Sequence, residues 1–149
     1  MKRTEEVELT VLCLIEQEDR ILLQDRVGSD WKGFTLPGGH VERDESFVSA
    51  VIREMKEEAG LTIQHPILCG VKQFPIENGR YIVFLYRTNE FEGTLTSSAE
   101  GRMHWVCRRE LAGCALVKDF EALLRVFDDP TRSEFRYVRT EHGWTVELR

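Results

Sequence analysis

Apolar and polar positions alternate early in the chain. Val7, Leu9, Val11 and Cys13 are separated by polar or smaller residues, and this period of two predicts a strand over residues 5–16. Glu18-Asp19 then supplies a turn, and RILLQDR at 20–26 predicts a second strand, the hairpin partner of the first. Residues 27–33 (VGSDWKG) have loop composition. A short strand at 34–36 ends at Pro37-Gly38-Gly39. Further on, Thr62–Pro75 contains the strand-like run IQHPILCGVKQF, and Asn78-Gly79 is a strong two-residue hairpin signal. RYIVFLYR at 80–87 is the run richest in β-branched and aromatic residues. Residues 89–101 are polar and predict an extended edge and a loop, and MHWVC at 103–107 predicts another strand. A helix is predicted over 119–127, with Phe120, Leu123, Leu124 and Phe127 on one face and Asp119 at the N-cap. Residues 135–148 predict a hairpin around His142-Gly143.

The segment from Gly38 to Leu61 stands apart from this pattern. Its period changes to that of a helix, from Ser46 as N-cap to Gly60 at the left-handed position after the C-terminus. At 100° per residue, Val48, Val51, Ile52, Met55 and Ala59 share one arc, predicted to pack on the sheet. Glu54, Glu57 and Glu58 share a second arc roughly 120° away, with Ala50 beside them and no bulky side chain over them. Residues three and four apart are neighbours on a helix surface, so three carboxylates there repel one another unless a cation lies between them. Oxygen-only ligands suit Mg²⁺ or Mn²⁺ rather than zinc. The alternative is a solvated acidic face steadied by Arg53 with Glu57 at i, i+4. The glycine pair favours the first reading, because backbone without Cβ atoms can approach a ligand closely.

Composition narrows the classes. A chain of 149 residues reads as one domain, 1–149, large enough for a core. No apolar run reaches the ~20 residues that span a bilayer, and the N-terminus lacks the apolar region of a secretory signal, so no membrane partner is expected. The four cysteines form no CxxC pair, and a reducing cytoplasm is the expected compartment. Four histidines without metal-ligand spacing give no zinc site. A formal charge of -6 argues against a nucleic-acid polymer as partner, but not against a small polyphosphate held through a cation.

The spacing resembles a known family. Gly39, five residues, Glu45, seven residues, Arg53-Glu54, Met55, one residue, Glu57-Glu58, one residue, Gly60 and Leu61 match the Nudix box in full. The preceding FTLPGGHVE is similar to the strand-and-turn entry usual in that family, and the order of elements fits its α/β/α sandwich with a mixed β-sheet between helices. The segments SSAEGRMHW and LVKDFEALLRVF are similar to small bacterial MutT-type members, the 8-oxo-dGTP diphosphatases.

The resemblance implies hydrolysis of a phosphoanhydride in a nucleoside diphosphate derivative by water. Glu54, Glu57, Glu58 and the Gly38 carbonyl are then the expected ligands of Mg²⁺, with Mn²⁺ as substitute. Arg53 is expected to orient a glutamate of the cluster, and Glu45 to anchor Arg53 or the loop. The general base is expected at Glu57 or Glu58, or at Glu100 in the loop SSAEGR. Arg26 and Gly39 are expected beside the phosphates, though a surface ion pair explains Arg26 equally well. Asp119 is expected to read the base edge or, alternatively, to cap its helix. Trp31, Phe34, Phe74 and Tyr81 are candidates for stacking on a base, whereas Trp105 and Trp144 read as structural, and His40 as an exposed turn residue. The substrate class implied is a small nucleotide: nucleoside triphosphates, oxidised purine dNTPs such as 8-oxo-dGTP in particular, cleaved to nucleoside monophosphate and pyrophosphate. ADP-ribose or a dinucleoside polyphosphate is an alternative, as is a non-catalytic nucleotide-sensing module. Either a monomer or a homodimer is compatible with these features.

Overall fold

The computed structural model describes residues 1–27 and 31–149 of the chain. Part of the loop expected at 27–33 therefore lies outside the described residues. In chain order the elements are β1 Glu6–Gln17, β2 Arg20–Arg26, β3 Gly33–Thr35, β4 Gly38–His40, α1 Phe47–Ala59, β5 Leu61–Gln64, β6 Ile67–Ile76, β7 Gly79–Thr88, β8 Glu90–Gly93, β9 Gly101–Cys107, a 3₁₀ segment Arg108–Gly113, α2 Phe120–Asp128, β10 Glu134–Thr140 and β11 Gly143–Leu148.

The main sheet runs β11-β10-β6-β7-β1-β2-β3, with β4 on β1 and β9 on β2. It is mixed: β1 runs parallel to β7 and β10 parallel to β6, and the other pairs are antiparallel. β1 sits at its centre, and from Val11 to Ile15 both of its faces are apolar. Val11, Cys13 and Ile15 are fully buried in the core under α1, while Leu14 is fully buried in the core under α2. The period-2 pattern of this strand therefore marks two cores rather than one core and a wet face, as expected for a strand covered on both sides. β2 and β7 repeat the division: Leu22 and Tyr86 face α1, and Ile21, Leu23, Val83 and Leu85 face α2. Helices on opposite faces of a mixed sheet make the α/β/α sandwich that the resemblance implied.

Three local expectations change. The run at 62–75 divides into β5 and β6 around His65 (φ 50°) and Pro66, and β5 pairs with β8 in a small separate sheet. Gly38–His40 is a strand against Thr10–Leu12, not only a turn. On α1 the buried face consists of Ala50, Val51, Glu54, Met55, Glu58 and Ala59, while Val48 is 43% exposed. The packing face is thus turned toward the carboxylates, and two of them share it.

Candidate active site

Helix α1 begins and ends as its sequence dictates. The Ser46 side chain accepts from the Ser49 N–H at 3.1 Å, satisfying one of the free donors of the first turn. Gly60 takes φ 73° and returns its N–H to the Lys56 carbonyl. These fixed ends set the rotation of the helix and hence the direction of its carboxylates.

Arg53 is the hub of this region. Its Nε and Nη2 donate to both oxygens of Glu45 at 2.8 and 2.9 Å, a forked contact. Nη1 donates to Glu54 at 2.9 Å and Glu57 at 3.2 Å, and Nη2 also reaches the His40 carbonyl at 3.0 Å. One guanidinium thereby ties the turn at 40–45 to the acidic turn of α1. Arg53 holds Glu45 down at about 2, chiefly through these hydrogen bonds, helped by the Glu42 N–H. Glu54 moves the other way: burial raises its pKa, and the charges of Glu57 and Glu58 add to that, against the pull of Arg53. Glu58 is as buried as Glu54, at 8% exposure, and accepts from Ser98 Oγ at 2.6 Å and Gln24 Nε2 at 3.3 Å. Glu57 is exposed.

Gly39 passes directly against this cluster. A Cβ built on it would lie 2.3 Å from the Glu54 carboxylate, so any side chain here displaces that carboxylate. No three acidic, histidine or cysteine side chains converge tightly enough among the described residues to form a ready-made cation cage. The donor chemistry nevertheless suits a hard cation: carboxylate oxygens, two of them buried and mutually repelling, on consecutive turns against a backbone cradle.

A cavity of about 560 Å³ joins this cluster to the rest of the predicted site. Gly38, Gly39, Glu54, Glu57, Glu58, Arg26 and Glu100 line it at one end, and Glu100 is exposed. Its backbone N–H bonds to Ser98 Oγ, the same hydroxyl that donates to Glu58. Asp119, Trp31, Phe74 and Tyr81 line the same cavity, with Phe74 and Tyr81 stacked at 4.9 Å. His40 also lines it, exposed as expected. Phe34 does not line it; its ring packs with the α2 core and meets His104 edge-on.

Asp119 corrects one alternative. It occupies the N-cap position of α2 with φ 63°, and its side chain makes no capping hydrogen bond. Its carboxylate instead accepts from the Tyr137 hydroxyl at 2.8 Å. The left-handed backbone turns the side chain away from the helix N–H groups that a cap would serve. The sequence reading also missed Lys72, whose ammonium lies in the same cavity among aromatic rings. The one signal was a lysine that follows the apolar run Ile67–Val71 and stands two residues before Phe74. Trp144, read as structural, is 43% exposed and lines an adjoining cavity of about 270 Å³ with Trp31, Phe74, Lys118 and Tyr137.

A mixed sandwich with an acidic helix, a glycine strand against it and a ring-lined pocket beside it defines a class, and sequence comparison agrees. The chain belongs to the NUDIX domain family, whose model matches residues 7–129. It is 44% identical over 68 residues to the ADP-ribose pyrophosphatase of Methanocaldococcus jannaschii, covering 45% of this chain and 40% of that protein. It is 33% identical over 103 residues to the oxidized purine nucleoside triphosphate hydrolase of Danio rerio, covering 65% of this chain and 64% of the relative. The chain thus spans 40% and 64% of the lengths of these two relatives. The crystal structure of the MutT protein from Bacillus halodurans superposes with a TM-score of 0.79 at 23% identity, over 95% of this chain and 97% of that one, a likeness of fold.

Proposed function

We propose that this chain is a Mg²⁺-dependent pyrophosphohydrolase of purine nucleoside triphosphates, oxidised purine dNTPs such as 8-oxo-dGTP foremost, releasing nucleoside monophosphate and pyrophosphate in the cytoplasm. One observation carries the reading: a single cavity joins the carboxylates of α1 to a slot lined by Trp31, Phe74 and Tyr81 with Asp119 beside it. A triphosphate at the first end and a base at the second fill such a shape. The name of the Danio rerio relative supports the substrate class.

Glu54, Glu57, Glu58 and the Gly38 carbonyl hold the divalent cation, with Mn²⁺ as a substitute. When bound, the cation neutralises phosphate charge and lowers the pKa of the attacking water. Arg53 aims the Glu54 and Glu57 carboxylates, through its anchor on Glu45. Gly39 lets the backbone run beside the phosphates, and Arg26, at the same end of the cavity, neutralises an outer phosphate through its permanently charged fork. Glu100 takes the proton of the attacking water; its place in the same cavity as the α1 carboxylates and its link through Ser98 to Glu58 support that role. Asp119 accepts hydrogen bonds from the base, and the rings stack on it.

ADP-ribose is the second reading, favoured by the 44% identity with the Methanocaldococcus jannaschii enzyme. A panel of nucleotides with Mg²⁺, with pyrophosphate and phosphate resolved, separates the two. Fast release of pyrophosphate from purine triphosphates is expected, and ADP-ribose cleavage as the dominant activity would overturn the first reading.

A further inference from the structure

At the base end of the cavity lies a charged pair. Lys72 Nζ is 5.1 Å from the ring centroid of Phe135, 5.3 Å from Trp31, 5.4 Å from Tyr137 and 5.9 Å from Phe74. Ring faces attract a cation, but they accept none of its three N–H donors in ordinary hydrogen bonds. Beyond the rings, the described group whose charge acts on the ammonium is the Asp119 carboxylate. Burial lowers its pKa to about 8, with the Asp119 charge opposing the fall, so it remains largely protonated at neutral pH. Asp119 is the complementary half. Its Oδ2 accepts from Tyr137, which fixes the carboxylate, and among the described residues no other hydrogen bond takes up the remaining lone pairs of its oxygens. Burial and the Asp119 charge both raise the Tyr137 pKa, so that phenol stays a donor.

Two of these groups come from outside the family-matched region, which ends at residue 129. Phe135 and Tyr137 lie on β10, whose parallel pairing sets Phe135 beside Lys72 on β6. The C-terminal hairpin thus closes the cage around the lysine and holds the aspartate.

Asp119 in its ionised form only accepts, and Lys72 only donates. A ligand edge that satisfies both carries an acceptor beside donors. Guanine presents the O6 acceptor, the ring N1–H and the 2-amino group in that order, so one keto oxygen meets Lys72 and two adjacent donors meet the two Asp119 oxygens. Adenine carries an amino group in place of the keto oxygen and no ring N–H, so it gives Asp119 one donor group at most. We propose that Lys72 is a further specificity-determining residue: together with the base-edge aspartate Asp119, its ammonium selects the 6-oxo, 2-amino edge of a guanine-type base. The proposal rests on the cavity being a nucleotide site and deepens that reading.

Calorimetric binding of GMP, IMP and AMP to the whole chain at neutral pH tests it, since binding needs no turnover. GMP is expected to bind most tightly, IMP about tenfold more weakly for lack of the 2-amino group, and AMP weakest, since each charge-assisted hydrogen bond is worth about tenfold or more. Lys72→Met, which keeps the length and apolar stem, should weaken GMP and IMP about tenfold more than AMP. Asp119→Asn, which keeps the shape, should narrow the gap between GMP and IMP. Tight AMP binding by the unaltered protein, or equal weakening of all three ligands by Lys72→Met, would overturn the pair. Guanine-selective binding without Mg²⁺-dependent hydrolysis of the corresponding triphosphates would support the pair and refute the hydrolase reading.

Discussion

The two ends of the cavity are built differently. At the carboxylate end the three glutamates, their arginine and the glycine strand come from residues 38–61, with Gln24, Arg26, Ser98 and Glu100 added from outside. Arg53 reaches Glu45 eight residues away, Glu54 next to it, Glu57 four residues on and the His40 carbonyl thirteen residues back. At the base end, Trp31, Lys72, Phe74, Tyr81, Asp119 and Tyr137 come from separate stretches brought together by sheet order. A short local motif can fix metal chemistry because the helix period alone aligns its ligands. Selection of a base depends on topology, so it can change by altering a hairpin while the chemistry stays.

Chelation with EDTA should abolish hydrolysis and added Mg²⁺ should restore it; turnover without metal would place the chemistry elsewhere. Glu58→Gln or Glu57→Gln should lower kcat by on the order of a thousandfold, the several kcal/mol that metal assistance supplies. The folded circular-dichroism spectrum should be kept, and near-normal turnover in both variants would contradict the assignment. Gly39→Ala forces a methyl into the Glu54 carboxylate. Overpacking of this kind costs about 1–3 kcal/mol, and because the displaced group is a proposed metal ligand, a fall in kcat of about a hundredfold is expected alongside the lower Tm. Asp119→Ala should shift purine preference by about tenfold in kcat/KM while costing less stability than the ~1 kcal/mol of a lost cap, because the side chain makes no capping bond.

The smallest expected effect concerns pH. Glu45 has its pKa at about 2 in the fold against an ordinary 4.5. Since the folded pKa is depressed, the unfolded chain takes up the proton first as pH falls. The contribution is complete above about 4.5 and disappears as pH drops toward 2. Thermal melts of the unaltered protein should lose more Tm over that window than those of Glu45→Gln, and parallel curves would show that the Arg53 fork adds nothing to stability.

The carboxylate end was legible in the sequence because its signals are local. Ser46, Gly60 and the spacing of Arg53, Glu54, Glu57 and Glu58 depend only on helix geometry. The apolar arc was read less well: Val48 is exposed and Ala50 buried, because the helix rolls to bring Glu54 against the glycine strand and Glu58 against Gln24 and Ser98, a tertiary demand invisible to periodicity. The strand at 62–75 broke at His65-Pro66 for a similar reason, since β5 pairs with β8 rather than continuing into the main sheet. Lys72 and Tyr137 were not legible as site residues. Their proximity to Asp119 follows from the parallel register of β10 on β6, which no local pattern encodes.

The central claim is that chemistry and selection occupy separable ends of one cavity. The most direct measurement is the ratio of kcat/KM for GTP to that for ATP, with Mg²⁺, in the unaltered protein, in Glu58→Gln and in Lys72→Met. Glu58→Gln should reduce both rates by about a thousandfold with the ratio held. Lys72→Met should move the ratio about tenfold toward ATP, the loss of one charge-assisted hydrogen bond. A ratio that shifts in Glu58→Gln, or stays fixed in Lys72→Met, would contradict the division.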